Sequence, residues 1–184
     1  MEPPKMTETE IVGLVAEAAS WVNQMREQYR PLATSLDQSQ KTKMRPFFPQ
    51  ELLERVRVAD LSETGEGLPY PPFYSRVRAG GARVVPDAAH LTSIPFIDLI
   101  AFGQKPTDRT LFHALVQVTQ FTILGVERFM ELYARGLNKK GSYILISLVK
   151  QAYELDSRFT KDPSDIFSVA EEVQQWAQSG RYER

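Results

Sequence analysis

Apolar side chains recur every three or four positions through residues 9–29, where Ile11, Leu14, Val15, Ala18, Val22, Met25 and Tyr29 fall on one stripe of an amphipathic helix. Pro31 ends that helix. Residues 32–48 are rich in Ser, Gln, Thr and Lys and read as a surface loop or flap. Between 49 and 103 the pattern shortens. "PQELLERV" predicts a short helix with Pro49 near its start, where a missing N–H does no harm. "RVRVAD", "ARVV" and "IDLIAF" predict strands, separated by the turn-rich "TGEGLPYPP" and "VPDAAH". The last of these is apolar apart from Asp98 and leads into residues 108–124, a helix apolar nearly all round that belongs at the centre of the core.

Asp108 reads as the N-cap of that central helix and Gly125 as its end or kink. "VERFMELYARG" predicts a more amphipathic helix stopped by Gly136, and "NKKGS" a solvated polar turn. Two further helices follow, over residues 142–159 and 165–178. The fold class is therefore α+β, mainly helical: an N-terminal helix, a small sheet, a central buried helix and C-terminal helices. We read residues 1–184 as one domain, with residues 1–8 disordered.

Composition narrows the function. The chain has 184 residues, 42% of them hydrophobic, enough to bury a sizeable core. A net charge of −1 provides no basic field for nucleic acid or an anionic membrane. No cysteine is present, which removes thiolate metal sites, disulfides and a cysteine nucleophile. The polar, acidic "MEPPKMTETE" lacks the basic then apolar order of a secretory signal, and no apolar run is long enough to span a bilayer. The expected location is cytoplasmic. No nucleophile elbow, phosphate-binding loop or dinucleotide fingerprint occurs.

Chemistry concentrates in "RTLFHALVQVTQF". His113 and Gln117 lie one helical turn apart on the same side, with Gln120 beyond them. In a zincin helix, H-E-x-x-H, two histidines at this spacing bind zinc and the glutamate activates water. Here the five positions are His113, Ala114, Leu115, Val116 and Gln117. The residues Phe112, His113, Leu115, Val116, Gln120, Phe121, Leu124, Gly125, Phe129, Tyr133 and Gly136 match the pattern F-H-E-L-V-H-x-x-Q-[YF]-x-x-L-G-x-x-x-F with a following Y-x-x-G. A second stretch, with Ile146, Leu148, Ala152, Tyr153, Arg158 and Phe159, matches I-P-L-E-x-x-A-Y-x-x-x-x-R-F, with Val149 at the glutamate position. Over residues 90–160 the chain thus resembles a family of small bacterial zincin-like metallopeptidase domains.

The resemblance implies a zincin-like core whose base (Ala114), second ligand (Gln117) and third ligand (Val149) are replaced, leaving His113 alone. One imidazole does not hold zinc, so no metal and no cofactor are expected, and peptidase activity is lost. What remains is an apolar cleft with His113 as acid or base. Gln117, Gln120, Tyr143, Val149 and Tyr153 would line it for an apolar small molecule, and isomerisation or cyclisation would need no metal. The alternative is a non-catalytic module that uses the former substrate groove for a protein partner. Without the resemblance, His113 is a hydrogen-bonded core histidine. An Asp87–His90 dyad and an aromatic–proline cleft wall in "GLPYPPFY" are minor candidates beside a surface histidine and ordinary loop packing. The pattern leaves the oligomeric state open.

Overall fold

The computed structural model describes residues 5–79, 85–86, 91–140 and 142–180. Helix α1 spans Glu8–Tyr29 and starts at a capping box, in which Thr7 accepts from the Glu10 backbone and Glu10 returns the bond. Its buried stripe is Ile11, Leu14, Ala18, Val22, Met25 and Tyr29, as the periodicity predicts. Within residues 5–8, Met6 N donates to Asn138 Oδ1 at 2.9 Å, and Arg135 pairs with Glu8.

Among the described residues, four short strands make one mixed sheet in the order β1-β2-β4-β3, comprising β1 (Thr34–Ser35), β2 (Arg57–Asp60), β3 (Ser93–Phe96) and β4 (Leu99–Phe102). Strands β2 and β4 run parallel, and the outer pairs are antiparallel. All four β4 residues are buried because the sheet is covered on both faces. Leu99 and Ala101 enter the core shared with α1, while Ile100 and Phe102 enter a second core built on Leu111, Phe112, Leu115 and Val118. The latter residues belong to α5 (Asp108–Leu124), the predicted central helix, which is capped by Thr107 rather than by Asp108. Gly125, at φ 77°, breaks it from α6 (Val126–Lys140). The fold is α+β and mainly helical. Among the described residues no helix is long and apolar enough to cross a membrane.

Several expectations need correction. Residues 32–48 are neither loop nor flap: α2 (Gln38–Met44) is capped by an Asp37–Gln40 box, and Leu36, Met44, Phe47 and Phe48 are buried. The Phe47 and Phe48 rings meet Phe112 edge-on at 5.4 and 5.1 Å, so this segment is one wall of the second core. After α3 (Gln50–Arg55), the aromatic–proline stretch leads into an unforeseen helix, α4 (Tyr74–Ala79). Residues 82–84 of "ARVV" lie outside the described residues, and Val85 is buried but not in a strand. Strand β3 went unread because Pro95 interrupts it, which an edge strand tolerates. Gly136 does not stop α6. It allows close packing, since a Cβ there would lie 2.9 Å from Ile146 Cγ2. The helix predicted over 142–159 is a 3-10 turn, Tyr143–Leu145, followed by α7 (Ser147–Lys161). The last helix, α8 (Val169–Gln178), begins later than predicted, at a Ser168 cap.

Candidate functional site

A cleft of about 340 Å³ opens between α5, the edge strand β3, α6 and α7. Arg109, Thr110, His113, Gln117 and Phe121 reach it from α5 at spacings of one, three and four, so a single helix face supplies one wall. Val149, Tyr153 and Asp156 reach it from α7 at spacings of four and three. Strand β3 contributes Ser93, Ile94 and Pro95 opposite α5. Phe73, Phe129 and Met130 add apolar surface.

The polar centre is an interaction that the sequence reading missed. Asp156 is 2% exposed. Its Oδ2 lies 2.7 Å from His113 Nδ1, and its Oδ1 accepts from Arg109 Nη2 at 3.0 Å and Nε at 3.3 Å. A buried carboxylate beside a ring nitrogen favours the tautomer with the proton on Nδ1, which leaves the Nε2 lone pair bare. Nε2 has no hydrogen-bond partner among the described residues. The Tyr153 ring lies 4.7 Å from the imidazole at 53° and fixes its plane. Burial pushes the Tyr153 phenol above its ordinary value, with further upward pressure from Tyr143 and Asp156.

The predicted site residues are brought together, with one exception. His113, Gln117, Tyr143, Val149 and Tyr153 all line the cleft. The Gln117 amide lacks a side-chain partner among the described residues and is free to bond a ligand. Gln120 does not reach the cleft. It is wholly buried under α7, where Nε2 donates to Leu148 O and to Gln151 Oε1, both at 3.0 Å, and Oε1 is left unpartnered. Its role is to tie α5 to α7. Ala114 is also fully buried and is not part of the cleft wall. Asp87 and His90 lie outside the described residues. From the aromatic–proline stretch, Pro71, Phe73 and Tyr74 do line the cleft.

The donor set does not suit zinc. His113 offers one nitrogen, Gln117 a neutral amide and Val149 only methyl groups, whereas an open catalytic zinc site uses three protein ligands. Among the described residues no group of three or more His, Cys, Asp or Glu side chains is placed to hold a metal ion. What the arrangement can do is accept and return a proton at Nε2, in a largely apolar enclosure that strengthens electrostatic contacts. Asp156 had a legible signal: residues 149, 153 and 156 share one face of α7, so the third follows once the first two are placed. Comparison of the chain with protein-family models, with curated proteins and with solved structures found no significant match.

Proposed function

We propose that this protein is a zincin-like scaffold without its metal, whose cleft binds a mostly apolar small molecule and moves a proton through His113. The observation that carries the reading is the buried Asp156 carboxylate at 2.7 Å from His113 Nδ1, with the other ring nitrogen unpartnered among the described residues beside an apolar cleft. In metal sites this carboxylate–histidine pairing orients a ligand; here the same pairing orients a base. The zincin-like origin draws support from the three positions that the resemblance assigns to ligands, His113, Gln117 and Val149, which line one cleft from two helices. Metal-free isomerisation or cyclisation suits one acid–base group in an apolar pocket. The reading includes a cytoplasmic location, in keeping with a cysteine-free chain.

Alkylation tests it without knowledge of the substrate. The chain has only two histidines, so modification by 2-bromoacetophenone is assigned by peptide mass spectrometry. In the reaction, Nε2 attacks the methylene carbon and bromide leaves. The expected result is stoichiometric labelling at His113, slowed about tenfold or more by Asp156→Asn, whose amide can donate to Nδ1 and shift the ring proton to Nε2. Labelling confined to His90, or a His113 rate indifferent to Asp156→Asn, would contradict the proposal.

A further inference from the structure

Tyr74, from α4, and Tyr133, from α6, meet through their hydroxyls at 2.8 Å in the cleft wall. Two hydroxyls carry two protons. One lies between the two oxygens, whichever is the donor, and the other has no acceptor among the described residues. Tyr74 is buried and Tyr133 partly buried, so the pair sits in the cleft wall rather than in bulk water. Burial raises both phenols above their ordinary value, and Tyr143 adds to that push, so they remain proton donors at neutral pH.

The cleft therefore presents two complementary unfilled groups. Among the described residues, the phenol pair has a proton without an acceptor, and His113 has a lone pair without a donor. Tyr143 lines the same cleft, as does Tyr153, which packs on the His113 ring. Charge decides what can fill the space. Arg109 is already paired with Asp156, and an anion would sit beside that carboxylate without a free cation among the described residues of the cleft to balance it. A cation would meet the one carboxylate of the described cleft lining, Asp156, already shared between Arg109 and His113. An uncharged oxygen acceptor meets neither penalty.

We infer that the ligand of this cleft is a compact, uncharged, mostly apolar molecule bearing a carbonyl, and that the Tyr74–Tyr133 pair is the donor that holds its oxygen. The inference rests on the cleft being a ligand site, as proposed above.

The test uses two probes of nearly equal shape, 1-tetralone and tetralin, which differ by the carbonyl oxygen. Each is scored by how well it protects His113 from 2-bromoacetophenone, so that affinity is read in the cleft itself. In the double variant Tyr74→Phe/Tyr133→Phe, both hydroxyls are replaced by apolar groups of the same shape, a change that is nearly neutral for stability. The affinity ratio of tetralone to tetralin is expected to fall roughly three- to tenfold in the double variant relative to wild type, the worth of one neutral hydrogen bond. An unchanged ratio with both probes still protecting His113 overturns the carbonyl assignment and leaves the ligand cleft standing. No protection by either probe overturns both. A second readout needs no variant: the infrared carbonyl stretch of tetralone bound to wild type is expected below its value in apolar solvent, and an unshifted stretch counts against the phenol contact.

Discussion

Placing zinc ligands at two of the positions where the zincin-like reading expects them is the strongest test of that reading, because its outcome can be sized from the fold. Gln117 and Val149 both line the cleft with His113, so Gln117→His and Val149→Glu together would supply three ligands and leave the fourth position open. Ala114 is left unchanged, since a glutamate there would enter the core beneath α5. The metal-free double variant should be clearly weakened. Val149 is 5% exposed, and losing its buried side chain removes about 1.5–3 kcal/mol. An unpaired polar group in its place costs a further ~1–3 kcal/mol, and more while it is charged. At roughly 2–4 °C per kcal/mol for a chain of this size, Tm should fall by about 10–20 °C.

Zinc at a hundredfold above its Kd would then return about 2.7 kcal/mol, or roughly 5–10 °C. Asp156 already holds His113 by Nδ1 and so presents Nε2 for coordination. Scanning calorimetry with and without zinc reads the recovery, native mass spectrometry counts one ion per chain, and a chelator should reverse both. Each single variant, with only two ligands, should show neither effect. A double variant that takes up no more zinc than wild type does would mean that these positions do not converge as ligands, and the zincin-like origin would fall; one that melts as wild type without zinc would contradict the packing cost assigned to Val149.

Other expectations concern parts of the fold that hold the cleft in place. Arg26 of α1 grips Asp98 through Nε–Oδ1 at 2.5 Å and Nη2–Oδ2 at 2.9 Å, at the turn after Ile97, whose φ of 65° is a strained conformation for a β-branched residue. Burial pushes the Asp98 carboxyl up, but the hydrogen bonds and charge of Arg26 outweigh it and leave it below the usual value. The stabilisation is therefore complete above the unfolded-chain pKa, about 4, and is lost as pH falls through the lower folded value. Wild-type Tm should drop more steeply than that of Arg26→Ala between about pH 5 and pH 3; parallel slopes would show that the pair contributes nothing. Gly136→Ala should destabilise by about 1–3 kcal/mol despite the ~1 kcal/mol helix preference for alanine, because the new methyl would strike buried Ile146. A raised Tm in that variant would show that Ile146 yields.

The helices were legible in the sequence because their apolar periodicity is sustained: the α1 stripe and the nearly all-apolar α5 are long enough to announce both type and burial. Strand β4 was legible as a short apolar run for the same reason. Residues 32–48 misled because their polar majority hides four spaced anchors, Leu36, Met44, Phe47 and Phe48, whose burial depends on partners far along the chain. Strand β3 and helix α4 are short and proline-flanked, and their pairing and packing are tertiary facts rather than local preferences. Within the site, helical spacing placed His113 with Gln117, whereas Val149 came from the resemblance alone. The spacing put Gln120 on the right side of α5 but could not show that α7 covers it. The bond between His113 and Asp156 joins residues 43 apart, and periodicity within one helix carries no information about such a contact.

The central claim is that Asp156 holds His113 so that a bare Nε2 faces the cleft. The ring-nitrogen NMR spectrum of the uniformly ¹⁵N-labelled chain reads this directly, at a pH where the imidazole is neutral and with only two histidines to assign. The expected spectrum has the His113 proton on Nδ1 and an unprotonated Nε2 in wild type, shifting toward Nε2–H in Asp156→Asn. A wild-type His113 with its proton on Nε2 would contradict the claim, since the nitrogen facing the cleft would then be a donor and no base.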